Sequence, residues 1–114
     1  MTRDEGDELV DQLGALANPV RLRVLAALTD GTQYVSELAR QLGISRPLLH
    51  MHLQRLESAG LVAGHLELSE DGKAKKFFTV TDFDLRINPK HIRAVATTLT
   101  SRTGPGGTTN DPKF

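Results

Sequence analysis

One stretch, Leu38-Ala39-Arg40-Gln41-Leu42-Gly43-Ile44-Ser45-Arg46-Pro47-Leu48-Leu49, leaves the chain few ways to fold. Two helices that meet through a tight turn need a small residue where their backbones approach, and Ala39 supplies it. The turn needs a residue at ease with unusual dihedrals, and Gly43 provides that. Apolar residues must face inward, and Leu38, Leu42, Ile44 and Leu49 fall at the inner positions. Ser45 can cap the second helix, and Pro47 is tolerated in its first turn. Independent requirements met together in so short a stretch predict a helix-turn-helix.

The second helix, about 45–59, separates into two faces. Leu49, Leu53 and Leu56 point inward with His52 at the margin, while Arg46, His50, Met51, Gln54 and Arg55 lie outward. No acid falls between Glu37 and Glu57, a window that holds Arg40, Arg46 and Arg55. An acid-free, Arg-bearing helix face suits a DNA major groove, where Arg bonds guanine through two hydrogen bonds. The bland alternative is an ordinary solvated face. The turn before the helix and the hairpin after it favour DNA, with Ser45, Arg46, Pro47, Leu48, His50, Met51, Gln54 and Arg55 as the expected contacts.

Upstream, Leu9, Leu13 and Leu16 make an apolar stripe on a helix over 7–17. Asn18-Pro19 then opens a helix that runs to Thr29, apolar on most sides and therefore central. Gln33-Tyr34-Val35 is a minimal strand, and Ser36 is expected to cap a helix over Glu37–Leu42. From Leu61 the period changes to two. An Asp71-Gly72 turn signal predicts a hairpin over Leu61–Val80, with Lys73, Lys75 and Lys76 gathered at its tip to meet phosphates. Asn88-Pro89 opens a last helix to about Ser101, whose apolar face is Ile92, Val95, Ala96 and Leu99. The expected fold is α+β, mostly α: a winged helix-turn-helix in the order helix, helix, short strand, helix, helix, β-hairpin, helix. It would occupy 7–101, between a disordered acidic N-terminus (1–6) and a disordered tail (102–114) containing Gly104-Pro105-Gly106-Gly107.

Charge at first argues against nucleic acid, since 14 basic residues balance 14 acidic ones. Five of those acids (Asp4, Glu5, Asp7, Glu8, Asp11) lie in residues 1–11 beside Arg3, leaving 13 basic against 9 acidic residues in 12–114, a balance of +4. With 114 residues there is room for one domain and little more. Cysteine is absent, which excludes disulfides and thiolate metal sites and fits a cytoplasmic location. No apolar run has membrane-spanning length, and the first residues lack a secretory signal. A cysteine nucleophile and a Gly-rich phosphate loop are both missing, so no enzyme is expected. The competing reading is a winged-helix protein-interaction module without an effector site of its own.

Four stretches resemble the ArsR-type (arsenic-repressor-like) winged-helix regulators: Leu16-Ala17-Asn18-Pro19-Val20-Arg21-Leu22-Arg23-Val24-Leu25, Val35-Ser36-Glu37-Leu38-Ala39, the run from Ser45 to Leu56, and Ala59-Gly60-Leu61-Val62. The wing residues Glu70-Asp71-Gly72-Lys73 and Phe77-Phe78 are similar as well. The resemblance implies a homodimer joined by its first and last helices, here through Leu9, Leu13, Leu16, Ile92, Val95 and Leu99, on a near-palindromic operator. Many such regulators are repressors released by a metal ion. This chain departs from that pattern. Val35-Ser36-Glu37-Leu38 lacks the cysteines of one family site, and Asp82, Asp84 and His91 have the wrong spacing for the other. With His50 assigned to DNA and His52 to the helix interior or a phosphate, the metal candidates left are His65, Asp84 and His91. Their N/O donors suit nickel or zinc, with a second subunit or a sensing partner protein completing the site.

Overall fold

Capping side chains set several of the helix boundaries. The structure, a computed structural model, describes residues 4–31 and 33–100, with Gln33 described by its backbone. The helices are α1 (Glu5–Leu16), α2 (Pro19–Thr29), α3 (Val35–Leu42), α4 (Arg46–Ser58) and α5 (Pro89–Ala96). The strands are β1 (Gln33–Tyr34), β2 (Val62–Leu68) and β3 (Ala74–Val80). Asn18 accepts hydrogen bonds from the backbone N–H groups of Val20 (2.8 Å) and Arg21 (3.1 Å). Asn88 accepts from His91 N–H (2.8 Å) and Ser45 from Leu48 N–H (3.2 Å). Each such cap is worth about 1 kcal/mol.

Three boundaries differ from those expected. Ser36 does not cap α3: the helix starts at Val35 directly from β1, with Tyr34 as an N-cap whose side chain makes no capping bond. Burial of Val35 fixes the entry instead. Within the stretch expected to be a disordered N-terminus, Glu5 and Gly6 are already helical, and Gly6 is buried. Glu5, Asp7 and Glu8 fill the first turn of α1, where negative charge offsets the exposed N–H groups. Finally, α5 stops at Ala96, because the Thr97 and Thr98 hydroxyls turn back to the carbonyls of Ala94 (2.9 Å) and Val95 (2.8 Å). The expected tail and residues 1–3 lie outside the described residues.

The chain divides into two units, residues 12–84 and a terminal unit made of 1–11 with 85–114. In the first, Leu28 of α2, Leu38 of α3, Leu49, Leu53 and Leu56 of α4, and Phe78 of β3 form one core. Each buried leucine contributes about 1.5–3 kcal/mol by leaving water. The sheet is antiparallel in the order β1-β3-β2. Its hairpin runs in register from Val62↔Val80 to Leu68↔Ala74. At the tip, Gly72 N–H donates to Ser69 C=O (2.9 Å) and Ser69 N–H to Lys73 C=O (2.8 Å). Gly72 has φ +84°, which is why a glycine closes this turn.

In the terminal unit the start of α1 approaches α5 without an intervening side chain. A Cβ added to Gly6 would lie 2.5 Å from the Val95 carbonyl oxygen and 2.9 Å from the Leu99 side chain, so only glycine fits. Gly6 N–H donates to the Thr98 hydroxyl (2.7 Å), and Thr100 N–H donates to the Asp7 carboxylate (3.1 Å).

Candidate nucleic-acid interface

Gly43, at φ +71°, closes α3 in the left-handed region. Two residues later Ser45 opens α4. The apolar stripe of α4 is fully buried, so the opposite face is presented to solvent by elimination. Arg46, Pro47, His50, Met51 and Gln54 are all exposed there, Met51 at 64%. Leu48 is 38% exposed on the flank.

Arg55 does not belong with them. Nine residues after Arg46, it lies about two and a half turns on, at the opposite side of the helix. It is half-buried, and a Cβ added to Gly14 of α1 would come within 2.8 Å of its guanidinium. The structure thus sets Arg55 apart from the other expected DNA contacts, against Gly14 of α1. His52, placed at the margin by the sequence, is buried among the core leucines at 8% exposure.

The wing stands beside the N-terminal half of α4, with an open cleft of about 720 Å³ between them. Tyr34, Ser36 and Arg40 line one side, Arg46 and His50 another, and Lys75 and Lys76 the strand side. Strand β1 pairs with β3 at Phe77 and Phe78, and so leaves the β3 edge over Ala74–Lys76 uncovered by β1. Four cations, Arg40, Arg46, Lys75 and Lys76, face one acid, Glu37, itself 3.7 Å from Arg40. Both lysines are exposed yet guided by aromatic rings. Lys75 Nζ lies 5.4 Å from the Tyr34 ring centre and Lys76 Nζ 5.3 Å from that of Phe78. Lys73 lies at the hairpin tip, its N–H bonded to the Ser69 hydroxyl (3.2 Å).

Sequence reasoning passed over Tyr34, Ser36 and Arg40 as cleft residues. Arg40 carried a usable signal, since it sits in the acid-free window. Tyr34 is placed by pairing with Phe77 and by donating its hydroxyl proton to Glu67 across the sheet. That bond raises the Tyr34 pKa above the ordinary phenol value.

His65, a metal candidate, is occupied on the wing. Its ring stacks on Phe77 at 5.0 Å and its Nε2 lies 3.1 Å from the Thr79 hydroxyl. Among the described residues no three His, Cys, Asp or Glu side chains gather into a group that could hold a metal ion, so His65, Asp84 and His91 make no joint site there. Nor is any described helix long and apolar enough to cross a membrane.

Turn, reading face, cationic cleft and hairpin together define a winged helix-turn-helix DNA-binding protein. The helix-turn-helix domain family matches residues 16–65. An uncharacterized HTH-type transcriptional regulator from Methanocaldococcus jannaschii is 37% identical over 79 residues, covering 69% of this chain and 82% of that one. The HTH-type transcriptional regulator CmtR of Mycobacterium tuberculosis is 40% identical over 68 residues, 59% of this chain and 58% of its own length. A 1–100 fragment of a possible transcriptional regulatory protein from Mycobacterium bovis superposes with a TM-score of 0.59 at 25% identity, covering 80% of this chain and 86% of that one. The chain belongs to the family of HTH-type transcriptional regulators, DNA-binding proteins that control transcription.

Proposed function

We propose that the chain acts as a homodimer on a two-fold operator, with α4 in the major groove and the wing on the flanking phosphates. The observation that carries this is the cleft, which sets Arg46 and His50 of α4 opposite Lys75 and Lys76 of β3. A duplex entering it meets base-reading side chains on one wall and phosphate-binding cations on the other. Arg46, exposed in the first turn of α4, is assigned to a base edge, and His50, Met51 and Gln54 to its neighbours. Lys73, Lys75 and Lys76 take phosphates, with Arg40 added from α3.

The dimer reading is supported by the terminal unit. Val10 (59% exposed), Ile92 (44%) and Leu99 (43%) are open there, and Leu13 of α1 is open as well. A solution structure of the Mycobacterium bovis fragment is a homodimeric winged helix-turn-helix domain. Of the residues expected at the interface, Val95 is already buried within the protomer, and Leu16 packs on the protomer's own core. Val10 takes their place.

If nickel or zinc is the signal, His65 or His91 must be completed by ligands from a second subunit or a partner protein. The test of the assignment is Arg46→Ala in a footprinting titration. It should cost about 1–3 kcal/mol of specific binding and relax preference at one position of each half-site. Unchanged specific affinity would remove Arg46 from the reading role.

A further inference from the structure

The most unusual polar contact in the residue 12–84 unit lies behind the reading face. His52 sits on α4 between Met51 and Leu53, buried at 8% exposure. Its Nδ1 is 3.2 Å from Nη1 of Arg21 on α2. A guanidinium only donates, so Nδ1 must accept, and the imidazole must be neutral with its proton on Nε2. Arg21 turns two further donors to the end of α1: Nε donates to the Ala15 carbonyl (2.7 Å) and Nη2 to the Gly14 carbonyl (3.4 Å). Those carbonyls belong to the last turn of α1, which contains no basic residue of its own. One side chain thus ties the end of α1, the start of α2 and the middle of α4 together.

We propose that Arg21 and His52 form the positioning pair of the reading helix, and that proton uptake by His52 releases it, so that operator affinity falls on acidification. The inference rests on the assignment of α4 to DNA reading. A proton on Nδ1 replaces an accepting lone pair with a donor and sets two cations 3.2 Å apart in a part-buried site. Burial, and then the Arg21 charge, hold the His52 pKa below the ordinary imidazole value. The charged groups around it are Arg21 from α2 and, three residues on in its own helix, Arg55, whose guanidinium lies against Gly14 of α1. The end of α1 offers backbone carbonyls to Arg21.

The sign follows from the lowered pKa. The folded chain favours neutral His52, so its contribution is complete above the unfolded imidazole value of about 6.5 and is lost as pH falls through the lower folded value.

Two measurements on the full chain test the pair. Nitrogen chemical shifts of the His52 ring at neutral pH should show the Nε2–H tautomer; a protonated Nδ1 would overturn the proposal without any DNA present. Affinity is then followed from about pH 7.5 to about pH 5.5, using as probe a duplex that wild-type protein selects from a random pool. His52→Asn places a non-titrating amide oxygen where Nδ1 was, and so keeps the acceptor for Arg21. The variant should bind like wild type at the upper pH, while wild type loses affinity relative to it at the lower one. Identical pH profiles for the two proteins, or wild-type affinity that rises on acidification in step with the variant's, would overturn the proposal. Failure to select any duplex would count against DNA reading itself, and the tautomer would still decide whether the pair exists.

Discussion

The unit of residues 12–84 encloses an aliphatic core, while the terminal unit buries little of its aliphatic surface. In the former, Leu38, Leu49, Leu53, Leu56 and Leu61 are wholly withdrawn from water. Among the described residues of the terminal unit, Val95 is the one large apolar side chain that is buried, while Val10, Ile87, Ile92 and Leu99 stay open. The first pattern belongs to a folding core, and the second suits the dimer surface proposed above. On that reading the two roles of a dimeric DNA reader fall to different stretches of chain: presentation of α4 to residues 12–84, association to the ends.

That division can be broken by mutation, beginning with the largest effect. Leu53→Ala opens a cavity under α4 and should lower stability by about 2–5 kcal/mol in a denaturant titration. A loss below about 1 kcal/mol would show that the leucine stripe is not the core it appears in. Val10→Asp combined with Ile92→Asp should give monomers in sedimentation while the fold persists, and should reduce operator affinity by about a hundredfold through loss of the second half-site. Dimers that survive both changes would place the interface elsewhere. The smallest expected change sharpens the description of the cleft. Lys75→Ala should weaken binding to all sequences alike and lower the slope of log affinity against log salt by about 1. A changed sequence preference with an unchanged slope would mean that the wing reads bases.

Much of this was legible in the sequence because the deciding signals are local. Asn18-Pro19, Gly43-Ile44-Ser45 and Asn88-Pro89 mark boundaries through a cap or a backbone preference that acts within three residues. Asp71-Gly72 marks the wing in the same way. Non-local features were hidden. Ser36 has the right chemistry for a cap, but buried Val35 enters the helix first. Arg55 shares a polar face with Arg46 in sequence, but the turn of the helix carries it round to Gly14. His52 looks marginal because its partner, Arg21, is 31 residues away. Gly6 falls in the stretch expected to be disordered, and its role appears only once α5 lies against it. The cleft itself needed β3 to be the central strand with half of one edge left uncovered, an arrangement that no single segment encodes.

The central claim is that this chain reads double-stranded DNA as a two-fold dimer through α4, and selection from a random duplex pool addresses it most directly. The account predicts enrichment of an inverted repeat with half-sites about 10–10.5 base pairs apart, centre to centre, bound with a steep salt dependence. A pool that emerges without a shared motif, or a single motif without its symmetric partner, would contradict it.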